Sequence, residues 1–98
     1  MFTTAKSGTT FNGKLARGIE GQTRQSLENI KKLLEAAGTD MEHVLKTTIY
    51  LTTVEGFDKT NEVYAGYFQV PPARAIVLVK GWGDRSRLIE IDAIAAMP

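Results

Sequence analysis

The stretch from Ile19 to Ala37 constrains the fold of this chain more than any other. Ile19, Thr23, Leu27, Ile30, Leu34 and Ala37 recur at spacings of three and four, which places them on one face of an α-helix. Gln22, Gln25, Lys31, Lys32 and Glu35 fall on the other faces. Gly38 follows, where a helix end takes the left-handed backbone that glycine accepts. Such a one-sided helix needs a partner surface. Asp40 can cap a short turn at 41–44, and residues 44–53, VLKTTIYLTT, then form a β-branched run without Gly or Pro. That run predicts a central strand. Alternation puts Leu45, Thr47, Ile49 and Leu51 on one face and Lys46, Thr48, Tyr50 and Thr52 on the other.

A second helix is predicted over about 56–68, with Phe57, Thr60, Val63, Tyr64, Tyr67 and Phe68 as its apolar stripe. Pro71-Pro72 ends it and forces an extended backbone. Residues 73–79, ARAIVLV, and 87–96, RLIEIDAIAA, read as strands separated by a loop over 80–86. In residues 1–18, Thr3, Thr4, Ser7, Thr9 and Thr10 alternate weakly with Phe2, Ala5 and Phe11, and Asn12-Gly13 signals a hairpin turn. The order hairpin, α, β, α, β, β predicts an α+β two-layer sandwich, a mixed sheet with both helices on one face. The other sheet face, with Tyr50 and Ile or Val from the later strands, is expected to be largely apolar. A face of that kind implies a partner, most simply a closed homo-oligomer.

At 98 residues the chain reads as a single domain over 1–98. With no cysteine it has no disulfide, thiol nucleophile or zinc–thiolate site, which suits a reducing, cytoplasmic setting. No apolar run approaches a membrane span, and residues 1–14 lack the apolar core of a secretory signal. Twelve basic residues against eleven acidic ones argue against a chain built to hold a polyanion. Lys31, Lys32, Lys46, Arg85 and Arg87 are interleaved with acids and read as solvated surface rather than an RNA patch.

Several segments together resemble a known family. EGQTRQSLENIKKLLEAAGTDMEHVLKTTIYLT is similar to the first helix and following strand of the Rid (YjgF/RidA) family, also called the endoribonuclease L-PSP family. FDKTNEVYAGYF resembles its second helix, and PPARAIVLV and LIEIDAIA its two signature strands. The resemblance covers about residues 19–96, and the combination of PPAR with an EIDAIA-like strand is its specific part. It implies a chorismate mutase-like fold and a homotrimer around a barrel of sheets. It also implies hydrolysis of 2-aminoacrylate and 2-iminopropanoate to 2-keto acids and ammonia, with no cofactor or metal. Some members are described as ribonucleases or translation inhibitors. Family chains begin with an extra strand bearing a tyrosine and continue into a strand ending in Ser-Gly. Residues 1–18 therefore read as a shortened N-terminal strand region, with Ser7-Gly8 as the Ser-Gly candidate. The KGWGDRS loop is longer than the family's usual loop.

The resemblance places Arg74 in a subunit-interface cleft as the anchor of a substrate carboxylate, a task suited to the rigid guanidinium fork. Backbone groups of Ala75 and Ile76 would help position the substrate. Glu90 alternates with Ile89 and Ile91; it can hold the attacking water or pass a proton to departing ammonia, or it can be an ion-pair partner of Arg87 or Lys46. Asn61, in TNEVY, is a candidate for substrate contact, with a helix-to-strand hydrogen bond that orders the cleft as its simpler role. Tyr50, Tyr64 and Tyr67 read as packing, Asp92 and the single histidine, His43, as structural, and Trp82 as a loop aromatic covering a sheet edge. Three functions remain open: an imine deaminase, a non-catalytic carboxylate-binding regulatory trimer, and a ribonuclease or translation inhibitor.

Overall fold

The computed structural model describes residues 2–10, 12–83 and 85–98, and the side chains of all of these except residues 2–5. Phe11 in the N-terminal alternation and Asp84 in the 80–86 loop lie outside the described residues. The elements are β1 (Phe2–Ser7), α1 (Gly18–Ala36), β2 (Val44–Leu51), α2 (Phe57–Ala65), β3 (Ala73–Leu78) and β4 (Ile89–Ala95), with single 3-10 turns at Met41–His43 and Val54–Gly56. The strands form one mixed sheet in the order β1-β4-β2-β3. β4 runs antiparallel to both neighbours, and β2 and β3 run parallel, with α2 in the crossover. The predicted α+β two-layer sandwich is the architecture observed.

The local signals act as expected at most element ends. Gly38 has φ +92°, past the end of α1, and Asp40 caps the following turn by accepting the Glu42 N–H at 3.0 Å. α2 is shorter than its apolar pattern. The Gly66 and Tyr67 N–H groups bond three residues back, to Val63 and Tyr64, and this tightens the chain out of the α-helix while Phe68 still packs inside. The N-terminal hairpin is replaced by another pairing. β1 joins β4, and among the described residues the Asn12-Gly13 turn closes a single bridge, Thr9 to Leu15. β4 offers a full-length antiparallel ladder that a short hairpin cannot match.

One layer of apolar side chains lies between sheet and helices. Leu27, Ile30 and Leu34 of α1 meet Ile49, Leu51, Ile89 and Ile91, all at most 1% exposed. Each such side chain contributes about 1.5–3 kcal/mol on leaving water. Val63, Tyr64 and Phe68 fill the end under α2, with the two rings 4.8 Å apart. β4 alternates as predicted, with Ile89, Ile91, Ala93 and Ala95 inward. β2 departs from its prediction at one residue. Val44 faces the core and Leu45 is 48% exposed, because a register shift between Val44 and Lys46 inserts an extra residue. Beyond it, Thr47, Ile49 and Leu51 are buried as expected.

The open face of the sheet is not the largely apolar surface the sequence suggested. Register places Lys46, Thr48, Tyr50, Ala75, Val77, Glu90, Asp92 and Ile94 on it. Two carboxylates and an ammonium thus interrupt the apolar groups, because β4 alternates Ile with Glu and Asp. Among the described residues no helix is long and apolar enough to cross a membrane.

Candidate functional site

Arg74 is the second residue of β3, and its partner across the parallel pair is Thr47, whose side chain is buried on the helix-covered face. Arg74 therefore points to the helix side, beside α2. There its Nη1 donates to Asn61 Oδ1 at 2.6 Å, and its guanidinium carbon lies 4.9 Å from the centre of the Tyr64 ring. Tyr64 is fixed in turn by a 2.7 Å hydrogen bond between its hydroxyl and Thr47 Oγ1. Burial raises the Tyr64 phenol above its usual pKa, against smaller opposing effects of the Thr47 bond and the Arg74 charge. At neutral pH the phenol is uncharged, so it offers Arg74 the face of a ring and no competing anion.

The helix-to-strand hydrogen bond expected of Asn61 is present, and its acceptor oxygen is aimed at the guanidinium. The rest of that group is exposed, and no carboxylate pairs with it among the described residues. A guanidinium held in place by one amide and one ring, with most of its donors open to solvent, has donors that a small anion can reach.

Glu90 lies elsewhere. It projects from the open face, flanked across the sheet by Ser7 on β1 and Tyr50 on β2. Arg74 sits two strands and three residue rows away, a backbone separation of about 14 Å from strand spacing and rise, with the side chain on the opposite face. One chain does not bring Arg74 and Glu90 together. Neither Arg87 nor Lys46 forms an ion pair with Glu90 among the described residues. Ala75 is on the open face, and Ile76 is turned inward, partly buried against the core. Ser7-Gly8 ends β1. Gly8 is buried so close to α1 that a Cβ there would lie 2.6 Å from the Gln22 Cα.

The remaining residues find ordinary places. His43 bonds Asp40 at 2.7 Å, and this bond, the largest of several influences, holds the Asp40 carboxyl below its usual pKa. Tyr67 donates to Glu28 at 2.6 Å; burial first, then this carboxylate, pushes its phenol upward. Lys31 and Lys32 are exposed on α1 while Lys46 is on the open sheet face, so the basic residues do not form one patch. Among the described residues no three His, Cys, Asp or Glu side chains cluster as a metal site would require. An open groove of about 820 Å³, lined by Glu28, Met41, Tyr67 and Val70 among others, contains none of the proposed site residues.

The sequence reading missed a polar stripe on α1. Gln22 was expected on an outer face, yet it is 2% exposed and faces the sheet. Its Nε2 donates to the Ser86 carbonyl at 2.7 Å and its Oε1 accepts the Leu88 N–H at 2.8 Å. Ser26 donates to the Lys6 carbonyl at 2.6 Å, and Asn29 to the carbonyls of Ser7 and Thr9. The spacing 22, 26, 29 is itself helical. It passed unread because polar residues at that period normally face water.

The fold is thus a four-stranded mixed sheet with two helices on one face, carrying an exposed, braced arginine at a sheet edge. The chain belongs to the Endoribonuclease L-PSP family, whose profile matches residues 2–97. A RutC family protein of Pyrococcus horikoshii is 51% identical over 85 residues, 85% of this chain and 67% of that protein. The 2-iminobutanoate/2-iminopropanoate deaminase of Rattus norvegicus is 43% identical over 79 residues, 80% of this chain and 57% of the enzyme. The chain thus spans between half and about two thirds of these curated relatives. The crystal structure of E. coli TdcF with bound serine superposes with a TM-score of 0.89 at 29% identity, covering 97% of this chain and 77% of that one.

Proposed function

We propose that this protein hydrolyses reactive 2-imino and 2-enamino acids, such as 2-iminopropanoate and 2-aminoacrylate, to 2-keto acids and ammonia. The observation that carries the reading is the exposed Arg74 guanidinium, braced by Asn61 and Tyr64 and free of any paired carboxylate among the described residues. The family relative that acts on 2-iminobutanoate and 2-iminopropanoate gives that receptor a substrate class. Arg74 grips the carboxylate. An enamine first tautomerises to the imine, its N–H proton being lost as the CH2 carbon gains one. Water then adds to the imine carbon, with Glu90 taking a proton from the water and delivering it to the nitrogen, giving an aminoalcohol. The hydroxyl proton passes to the nitrogen as the C–N bond breaks, so ammonia leaves and the carbonyl forms. The backbone at Ala75 and Ile76 and the Ser7-Gly8 strand end line the substrate's position. An imine is already electrophilic, so the mechanism calls on no cofactor or metal.

Arg74 and Glu90 face opposite ways in one chain, so a shared site needs a second copy to supply one of them. This supports a closed homo-oligomer, and we propose the homotrimer. The test is ammonia release from freshly generated 2-iminopropanoate. Parent protein should exceed the spontaneous rate, Arg74→Ala should not, and Glu90→Gln should keep pyruvate binding while losing roughly 10²–10⁴-fold in kcat. A parent at the spontaneous rate would overturn the enzyme. The second reading, a carboxylate-binding regulator that keeps Arg74, would then stand, favoured by the serine held in the TdcF structure.

A further inference from the structure

Glu90 needs a fixed position to handle water, and its strand begins only one residue earlier, at Ile89. Of the three residues before Ile89, Leu88 is tied on the sheet side to Thr52, whose N–H and hydroxyl donate to its carbonyl at 3.1 and 3.3 Å. On the helix side the same stretch is held by Gln22. Its side-chain amide meets the backbone twice, at the Ser86 carbonyl and the Leu88 N–H, from a position 64 and 66 residues away in the chain. Both bonds are short and one partner is 2% exposed, so water does not compete well for them. The backbone of the same residue is the floor under Gly8. Gly8 follows Ser7, and Ser7 is the β1 partner of Glu90. Gln22 therefore touches the start of the strand that carries Glu90 and the residue that follows its β1 partner.

We propose that Gln22 is a positioning residue for the hydrolytic step: it sets the direction of Glu90 relative to Ser7 by clamping the start of β4 and seating the end of β1. The inference rests on the deaminase reading given above. Gln22 itself touches no substrate and acts through backbone. Its loss leaves the start of β4 with its Thr52 bonds but without its helix-side clamp, so the segment can tilt, while the far end stays tied by Thr39, whose Oγ1 donates to the Ala96 carbonyl at 2.7 Å. A shift of about 1 Å at a proton-handling group can cost on the order of 10²-fold in rate.

The experiment compares Gln22→Met, Gln22→Glu and Thr39→Ala with the parent. Gln22→Met removes both bonds at similar side-chain length. Gln22→Glu keeps an acceptor for the Leu88 N–H and loses the donor to Ser86, so it serves if the Met variant does not fold. Thr39→Ala loosens the opposite end of the same strand and controls for general loss of stability. The expected result is a fall in kcat on 2-iminopropanoate of roughly 10–100-fold for the Gln22 variants, with KM and the pyruvate Kd within about twofold, and parent-like kcat for Thr39→Ala. A parent-like kcat in a folded Gln22 variant, or an equal fall in Thr39→Ala, overturns the proposal. If the parent shows no turnover, the deaminase reading fails on its own. The positioning claim is then judged by NMR distances between the Glu90 and Ser7 side-chain protons. Distances changed in the Gln22 variants and unchanged in Thr39→Ala uphold it; distances unchanged in both remove it.

Discussion

Asn61 gives the sharpest separation between an anion receptor and a structural contact. Its amide oxygen lies 2.6 Å from Arg74 Nη1 in an exposed setting. Asn61→Asp puts a carboxylate in nearly the same place. The new pair contributes about 0.2–1 kcal/mol, as exposed ion pairs do, so the fold should hold or gain slightly. A ligand carboxylate must then weaken that pair and sit near a like charge, which at ~5 Å in water costs about 0.8 kcal/mol more. Together these come to about 1–2 kcal/mol, or roughly a 5- to 30-fold weaker Kd. Asn61→Ala removes a brace without adding charge and should weaken binding by less than about fivefold. Titration calorimetry with pyruvate, beside thermal melts, reads both. The predicted affinities fall in the order parent, Asn61→Ala, Asn61→Asp, while Asn61→Asp melts at or above the parent. Parent-like affinity in Asn61→Asp would show that ligand carboxylates do not bind at Arg74.

Gly8→Ala should destabilise the protein by about 1–3 kcal/mol, read by denaturant titration, because the added Cβ meets the Gln22 backbone at 2.6 Å and neither side can move freely. The carboxyl of Asp40 should titrate below the 3.8 of an unperturbed aspartate and move back up in His43→Ala, followed by NMR. The folded pKa is depressed, so this contribution to stability is present above about pH 4 and is lost as the pH falls through the lower, folded value.

The layered fold was legible because its signals are local and periodic. The stripe from Ile19 to Leu34 and the alternation of Ile89, Ile91 and Ala93 each fix a buried face from spacing alone. The errors fall where the deciding partner is distant in sequence. Leu45 was assigned inward because alternation assumes an unbroken ladder, and only pairing with β4 reveals the extra residue. Gln22 was assigned outward because its partners, Ser86 and Leu88, are on the far side of the chain. Arg74 stood out through PPAR, and the bond to Asn61 was anticipated from TNEVY. The opposite facing of Arg74 and Glu90 was not legible, since it depends on which strand of the sheet each residue joins.

That opposition makes the central claim testable in one mixing experiment. Arg74→Ala keeps Glu90, and Glu90→Gln keeps Arg74, so each homogeneous variant has no complete site. If each site takes Arg74 from one copy and Glu90 from another, random mixed assemblies should rebuild roughly a quarter of them. The measurement is the rate of 2-iminopropanoate hydrolysis after the two variants are unfolded and refolded together. The account predicts near-background rates for each variant alone and about one quarter of the parent rate for the equal mixture. A mixture as inactive as its components, beside an active parent treated in the same way, would contradict it.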